Sequence, residues 1–393
     1  MIRAGAGYSV AVNPRTAALE ATQSALRQAG LRTADAATCF ASSNHGGAFP
    51  LLVRTVGETA GTGEVTGCGS IGIIAGGREI ESGPGVAVLV FGGPAITVAR
   101  FFVPQLRRRA QEAASELAAM VRPRLGSTNL LCVFADTYNL EPEPFVAALN
   151  SELPGVTIVG GGATEDGAIG ETFQFCGDVV SSNSISAMLL AGDFEVTVGA
   201  ALACAPIGPA HRVTVVNDNV ILELDGRRAY DVFAEAAGPL AQDLRRALSF
   251  VSLGVPAVSG ASQLERGQFY VRNVVGASAE RGAIAVACRP QAGDVVGFVL
   301  RGAERSRAEL KAMLETLGTR TVRPPAFGLY FDCISRGSGL YNLPDHDSAY
   351  IGQQLGNVPI TGLFTGFEIG PLAGSNGVLQ YTGVLALVGD KAD

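Results

Sequence analysis

Lysine is almost absent from this chain, since only Lys311 and Lys391 occur among its 29 basic residues. The sequence contains no G-x-x-x-x-G-K-[ST] phosphate loop, and neither lysine could serve one. The net charge is −7, and only Arg107–Arg109 forms a strongly basic stretch. A nucleic-acid-binding protein needs a positive face for phosphates, so we expect no nucleic-acid partner.

Sequence motifs typical of metal sites or of catalytic nucleophiles are also scarce. The seven cysteines are an odd number, lie far apart and form no C-x-x-C pair, so neither a zinc cage nor a disulfide framework is expected. Of the three histidines, we interpret His211 as a linker residue and His346 as a surface residue at a helix start, whereas His45 could face a pocket from its glycine-rich loop. No nucleophile with a histidine base is evident, so we predict no catalytic residue and no metal site.

Long hydrophobic runs are missing as well. The longest weakly charged stretch, Gly85–Ala99, is shorter than the roughly 20 residues that a membrane span needs, and Gly92-Gly93-Pro94 interrupts it. The N-terminus lacks the continuous apolar segment of a signal peptide. We therefore expect a cytoplasmic protein without a membrane partner. Because 47% of the residues are apolar and only 17% are charged, the chain can bury a large core and is not expected to be disordered.

Glycine, in contrast, is abundant with 51 residues, and it marks an internal repeat. Three segments share an apolar strand, a helix, a glycine-rich turn and a closing apolar strand. Their turns are Glu64–Gly72, Thr157–Gly167 and Pro359–Glu368. Such β-α-β-β units cannot bury their faces alone, so stacking is implied. The sequence predicts a mixed α/β (α+β) fold, in which sheets built from repeated units are covered by helices.

A cluster of Pro206, Gly208 and Pro209 predicts a domain boundary. We place one domain at residues 1–205 and a second at 206–393, as two related halves. A hairpin is predicted just after the boundary, turning at Asn217–Asn219. Further along, Ser306–Glu309 has the pattern of a capping box, which predicts a helix start at that point.

The turn Gly67–Gly72 matches G-x-G-x-x-G letter for letter. A dinucleotide site also needs a helix that opens at this turn. The residues that follow, Ile73–Gly77, favour a strand and a turn over a helix. We therefore do not expect a dinucleotide cofactor.

A second motif, Asp332–Gly337, is more informative because it directly follows the apolar run Phe327–Phe331. Its side chains should lie at the carboxyl end of a strand, a common place for ligand-binding groups in α/β folds. Arg336 could clamp a carboxylate through two hydrogen bonds. Glu368, on the third glycine-rich turn, could bind an ammonium group or pair with Arg336 itself. Such a site, completed by backbone N–H groups, would suit a small zwitterion such as an amino acid.

Several segments together resemble a known family. Val213–Tyr230, Phe331–Gly337 and Gly362–Pro371 resemble the signatures of the C-terminal half of FIST domains. Gly67–Gly72 and Val159–Gly167 are similar to turns of the N-terminal half. The resemblance covers about residues 15–388. Two features differ from the family pattern: Leu379–Thr382 stands where a His-Asn-x-Thr stretch is common, and Phe367 stands where a glycine usually precedes the signature glutamate.

The resemblance implies an intracellular sensory module that binds a small ligand such as an amino acid. It implies ligand contacts from Cys333, Arg336, Gly337, Thr365 and Glu368, and signalling through a separate partner protein. We add the remaining candidate ligand-binding residues from the N-terminal half, which are Cys68, Ser70, Thr164, Glu165 and His45.

Three alternatives remain open. The first is an enzyme acting on a small polar substrate through Cys333 or Cys68, since a neighbouring arginine would lower the pKa of a thiol. The second is a haem-containing nitric oxide sensor, as some relatives are, with His45 or His346 as the axial ligand. The third is a scaffold without a ligand. We otherwise expect no cofactor.

Overall fold

A computed structural model describes residues 1–258, 260–321 and 323–391 of the chain. It confirms the mixed α/β class and the three similar segments, each of which forms one structural unit. In every unit, a first strand is followed by a helix, a second strand, one further helix (two in the third unit), a third strand, a two-stranded hairpin and a fourth strand.

The first two units are continuous in sequence. Unit 1 consists of β1 (Arg3–Ser9), α1 (Pro14–Ala29), β2 (Ala36–Ser42), α2 (Phe49–Ala60), β3 (Val65–Ser70), β4 (Ile73–Ala75), β5 (Arg78–Ile80) and β6 (Val86–Gly92). Unit 2 consists of β7 (Ile96–Pro104), α3 (Ala110–Val121), β8 (Thr128–Ala135), α4 (Pro142–Glu152), β9 (Thr157–Gly162), β10 (Gln174–Cys176), β11 (Val179–Ser181) and β12 (Ser184–Gly192).

Unit 3 is interrupted after its first strand, β13 (Phe194–Leu202). The insertion contains β14 (Cys204–Asn217), β15 (Val220–Leu224), β16 (Arg227–Arg228), α5 (Ala229–Ala237), α6 (Leu244–Phe250), β17 (Val251–Pro256), β18 (Phe269–Ser278), β19 (Ala283–Val286) and β20 (Val295–Arg301). The unit then continues with α7 (Ala303–Arg320), β21 (Phe327–Cys333), α8 (Gly337–Tyr341), α9 (His346–Leu355), β22 (Ile360–Thr365), β23 (Glu368–Leu372), β24 (Ser375–Leu379) and β25 (Thr382–Asp390).

Each unit lends its hairpin to another unit's sheet. The four main strands of unit 1 pair with β10–β11 of unit 2, those of unit 2 pair with β23–β24 of unit 3, and those of unit 3 pair with β4–β5 of unit 1. The exchange is therefore cyclic, and the three six-stranded sheets surround one centre. Their inner faces form a shared apolar core, which includes Phe40, Phe134 and Phe331, while the helices cover the outer faces.

One glycine recurs at the same place in the third strand of every unit. A Cβ on Gly67, Gly160 or Gly362 would lie 1.8, 1.9 and 1.9 Å, respectively, from the carbonyl oxygen of the neighbouring second strand. No side chain fits at such a separation, so all three positions require glycine. They also align the three units residue by residue.

The insertion forms a separate seven-stranded antiparallel sheet. Its long strand β14 pairs with β20 over its first part and with β15 over its second, which closes the sheet on itself around an apolar core that includes Phe233 and Phe298. The predicted hairpin at 217–219 is confirmed as the β14–β15 connection. Within the described ranges, no helix is both long and apolar enough to cross a bilayer.

Candidate functional site

The three glycine-rich turns meet at the centre of the molecule. The Ser70 hydroxyl of unit 1 and the Thr164 hydroxyl of unit 2 lie 3.1 Å apart. Both donate to the carbonyl oxygen of Phe364 in unit 3, at 2.8 and 2.7 Å. Three units are thus joined by hydroxyl groups, and two of the predicted site residues tie the turns together.

Arg336 lies in a closed internal network. Its side chain has no exposed surface, and its Nε and Nη2 atoms lie 2.6 Å from the carboxylates of Asp332 and Asp347, respectively. Its Nη1 atom donates to Ser306 Oγ at 2.7 Å and to the Ala201 carbonyl at 3.1 Å. Every guanidinium nitrogen therefore has a protein partner. The internal ion pair that the sequence left open does form, but with two aspartates and not with Glu368.

Glu368 and Thr365 form a neighbouring buried pair. The Thr365 hydroxyl carries a single hydrogen, yet it lies 2.9 Å from Glu368 Oε1 and 3.0 Å from the Asp332 carbonyl. A protonated Glu368 resolves this arrangement by donating to Thr365, which then donates to the Asp332 carbonyl. Burial raises the pKa of Glu368 from its ordinary 4.5 to about 8, which agrees with a proton on this carboxyl group at neutral pH.

Cys333 does not have the environment of a reactive thiol. It is fully buried, and burial together with the nearby carboxylate of Glu368 raises its pKa, the opposite of the expected lowering. The Tyr381 backbone N–H donates to its sulfur. The equivalent residues at the ends of β2 and β8, Ser42 and Asp136, accept backbone N–H bonds from Gly85 and Asn183 at 2.9 Å each. In all three units this position therefore holds the turn before the fourth strand.

The hairpin β4–β5 of unit 1 clamps two helices of unit 3. Glu79 Oε1 accepts from the backbone N–H of Ser348 at 2.7 Å, and Glu81 accepts from the N–H and hydroxyl of Ser338 at 2.8 and 2.9 Å. Gly337 has φ +61°, and a Cβ there would lie 2.6 Å from the Glu81 carboxylate. The predicted Gly337 thus makes room for a carboxylate of this chain.

The two candidate axial histidines differ. His346 is 6% exposed, in contrast to the predicted surface position. Its Nδ1 lies 3.0 Å from Asp347, and its Nε2 accepts from Arg307 Nε at 3.1 Å, so both ring nitrogens have partners. His45 is also buried, and its Nε2 has no hydrogen-bond partner within the described part of the chain. Burial lowers the pKa of His45, which keeps its ring neutral.

The remaining predicted residues lie apart from this network. Cys68 is buried in the apolar core between the sheets. Glu165 is half-buried and accepts from the Tyr138 hydroxyl at 2.5 Å. With Thr164 it borders a space of about 10 Å³, room for about one water molecule. Of the ten predicted residues, Cys333, Arg336, Gly337, Thr365 and Glu368 lie in or beside the network around Arg336, whereas Ser70 and Thr164 form the separate contact between the turns.

Residues that the motif did not single out hold the network together. Asp347 is fully buried, although the neighbouring His346 was predicted to lie at the surface, at a helix start. Glu79 is also buried, and burial and the Asp347 carboxylate raise its pKa to about 7. Asp347 is the exception among these acids, because the Arg336 guanidinium holds its pKa well below its usual range. In the sequence, the only sign of this role for Asp347 was its position eleven residues after Arg336 of the motif.

A larger cleft opens elsewhere, between units 1 and 3, and we call it the Ala6 cleft. It encloses about 450 Å³. Its walls are formed by β1 and α1, by the β4–β5 hairpin turn, and by α9 with the segment that leads to β22. The lining residues are Ala6, Ser24, Gln28, Ile74, Ala75, Gly76, Gly77, Ser348, Ile351, Gly352, Gly356, Asn357, Val358, Pro359 and Ile360. None of them carries a charge, and none belongs to the ten predicted site residues.

The molecule thus combines a cyclic three-unit α/β core, an inserted antiparallel sheet, a closed polar network and an uncharged cleft. The FIST N domain matches residues 35–227, and the FIST C domain matches residues 229–371. Together they cover most of the chain, which therefore belongs to the FIST family. FIST domains are in general small-ligand sensory domains of signalling proteins.

The chain is similar over its full length to uncharacterised mycobacterial proteins. One, from Mycobacterium tuberculosis, is 30% identical over 391 residues, which cover 99% of this chain and 100% of the relative. Another, from Mycobacterium bovis, is 28% identical over 393 residues, with 100% of both chains covered. A crystal structure of cyanuric acid hydrolase from A. caulinodans covers 100% of both chains at 10% identity with a TM-score of 0.38. At that distance the likeness says nothing about the chemistry of this chain.

Proposed function

We propose that this protein is a sensor that takes a small, uncharged polar molecule into the Ala6 cleft. The observation that carries the proposal is the cleft itself. Its volume of about 450 Å³ lies within the range of roughly 300–1,000 Å³ that is usual for small-molecule sites. Side chains of Ser24, Gln28 and Asn357 supply polar groups, while Ile74 and Ile351 supply apolar surface.

A glycine in the last turn of α9 supports this assignment. Gly352 lines the cleft, and a Cβ built on it meets no atom within 4 Å. Glycine within a helix costs about 0.5–1 kcal/mol relative to alanine. No neighbouring atom requires glycine here, so a larger side chain at this position would extend into the open space of the cleft.

The uncharged lining changes the ligand that we expect. An amino acid needs a partner for its carboxylate and another for its ammonium group. Arg336 and Glu368, which the sequence offered for these roles, are fully buried and hydrogen-bonded within the protein. The cleft offers only neutral groups, so we favour a neutral polar ligand over a zwitterion.

The hairpin provides a route from the cleft to the rest of the molecule. Its turn, Gly76–Gly77, lines the cleft, and its second strand carries Glu79, which binds the start of α9. Glu81, just beyond the hairpin, binds α8 in the same way. A ligand that shifts the turn therefore acts on two helices at once. We propose that a separate signalling protein reads this change.

Haem fits this cleft poorly. None of the described residues that line it is a histidine or a cysteine, so no axial ligand is at hand. We therefore favour a sensor of a small organic molecule over a haem-containing sensor.

The test compares two matched glycine variants. Gly352→Leu places a side chain in the cleft, whereas Gly318→Leu changes a glycine near the end of α7 whose Cβ would also meet no atom within 4 Å. A library of small neutral compounds and amino acids is screened by thermal unfolding. A ligand at 100 times its Kd adds about 2.7 kcal/mol of stability.

We expect hits that stabilise the wild type and Gly318→Leu but not Gly352→Leu. Hits that stabilise all three proteins equally would place the ligand elsewhere. A screen without any hit on the wild type would contradict the proposal.

A further inference from the structure

The strand position of Ala6 recurs in each unit, and in unit 2 it borders an interface with walls equivalent to those of the Ala6 cleft. Ala6 pairs with Leu89, Arg100 with Met188 and Val198 with Ala386. The ends of the fourth strands of units 1 and 2 align as well, since Gly93, directly after β6, and Gly192, the last residue of β12, have φ values of +147° and +148°. Ala6, Arg100 and Val198 are therefore equivalent residues.

Arg100 occupies the corresponding space at the interface between units 1 and 2, which we call the sister cleft. Its Nη1 atom donates to the Gly63 carbonyl at 2.9 Å and to Glu64 Oε1 at 3.2 Å. The guanidinium lies flat against the hairpin turn at Gly177, where a Cβ would come within 2.7–2.9 Å of Nε, Cζ and Nη2. A planar group with N–H donors thus occupies the interface between units 1 and 2.

The Ala6 cleft has the same walls without the arginine. Gly76, with φ +59°, corresponds to Gly177, with φ +60°, at the turn of the lent hairpin. The residues before the third strand also correspond: Val358 and Pro359 stand before β22 where Gly63 and Glu64 stand before β3. Alanine at position 6 leaves open the space that the guanidinium of Arg100 takes in the other interface.

We infer that the ligand of the Ala6 cleft carries a planar N–H donor group of the carboxamide or urea class, which lies where the guanidinium of Arg100 lies in the sister cleft. Its N–H groups face the backbone carbonyl of Val358, the counterpart of the Gly63 carbonyl. Because Pro359 replaces Glu64, no carboxylate is present to favour a cation, so the neutral donor is preferred over a guanidinium. This inference rests on the proposed function and specifies the chemistry of the same site.

The test uses three probes that share a planar urea or guanidinium core. Methylurea has planar N–H donors, tetramethylurea has none, and methylguanidinium has donors and a positive charge. Binding is followed by NMR through the backbone amide signals of Gly76, Gly77 and Gly352. We expect methylurea to bind, and tetramethylurea to bind about tenfold more weakly or not at all, because it leaves the carbonyl unpaired. Equal binding of the two ureas, or stronger binding of methylguanidinium than of methylurea, would overturn the inference.

Two substitutions interchange the residues that distinguish the two clefts, an alanine at position 6 and an arginine at position 100. Ala6→Arg should abolish methylurea binding, since the new guanidinium takes the same place. Arg100→Ala opens the sister cleft, where Glu64 remains, so methylguanidinium should raise the melting temperature of this variant but not that of the wild type. If Ala6→Arg does not fold, the effect of methylguanidinium on Arg100→Ala still decides whether these interfaces accept a planar donor. If methylguanidinium does not raise the melting temperature of Arg100→Ala, the inference is contradicted.

The two proposals fail in different ways. A library compound whose effect Gly352→Leu removes, but which lacks planar N–H groups, would leave the sensor proposal standing and refute the donor inference. Methylurea that binds the wild type and Gly352→Leu alike would refute the donor inference, whereas the library screen decides the sensor proposal.

Discussion

Arg336 and Asp347 form an ion pair with an Nη2–Oδ2 distance of 2.6 Å, although neither side chain has any solvent-exposed surface. The two residues come from different elements, since Arg336 precedes α8 and Asp347 lies in the first turn of α9. Tyr330 also donates to Asp347 Oδ2 at 2.7 Å. The motif that suggested a ligand clamp therefore joins the end of β21 to the helices that follow it.

Removing the guanidinium should destabilise the protein strongly. Arg336→Met leaves Asp332 and Asp347 buried without their counter-charge, and the loss of one partner of a buried pair costs about 3–5 kcal/mol. Denaturant unfolding measures this change. The control is Arg305→Met on α7, where the side chain is exposed and the expected change is within about 0.5 kcal/mol. If Arg336→Met were as stable as the control, the network would not be structural.

The stability of the protein should fall as the pH rises through the neutral range. The pKa of Glu368 is about 8 in the folded protein against an ordinary 4.5, so the folded state binds more protons than the unfolded state between these values. Within that window each pH unit costs about 1.4 kcal/mol for this group, and below 4.5 and above 8 its contribution is constant.

Glu368→Gln should remove this part of the pH dependence. The amide can donate to Thr365 Oγ1 and accept from the Thr382 N–H, as the protonated acid does. We expect the variant to gain stability relative to the wild type as the pH rises from 4.5 to 8, and to match it most closely at low pH. Unfolding free energies measured across this range decide the point. Parallel curves for the two proteins would mean that Glu368 is ionised in the fold.

The three units were visible in the sequence because their features are local. Apolar strands and glycine-rich turns repeat in order, and each can be recognised from neighbouring residues alone. The cyclic exchange of hairpins could not be predicted in the same way. A strand such as β4 has the same composition whether it pairs within its own unit or with β22 of another.

In the candidate site, too, contacts between distant segments could not be predicted from neighbouring residues. Asp345–Asp347 is locally polar, which is typical of a solvated helix start. Asp347 is nevertheless buried because Arg336, from another element, supplies a counter-charge. Ser306 was interpreted as a cap, but α7 begins at Ala303, and Ser306 instead bonds to Tyr341 at 2.7 Å. The Ala6 cleft left no sequence signal, because small uncharged residues on distant segments line it.

Replacing Gly352 by alanine should stabilise the protein. The residue lies within α9, a Cβ there meets no neighbour, and alanine lowers the free energy of a helix by about 0.5–1 kcal/mol relative to glycine. Gly318→Ala in α7 should give a similar gain for the same reason. Thermal unfolding of both variants measures the effect. A loss of stability only in Gly352→Ala would show that α9 needs glycine for its backbone and would weaken the argument from open space.

Thiol reactivity separates the sensor from a cysteine-based enzyme. Cys288 is half-buried, whereas the other six cysteines, including Cys333 and Cys68, are buried. Burial raises the pKa of both candidate nucleophiles, so neither should form a thiolate readily. We expect a thiol reagent to label one cysteine promptly in the native protein and all seven after unfolding. Cys288→Ser should abolish the prompt phase, whereas prompt labelling of Cys333 in that variant would restore the enzyme alternative.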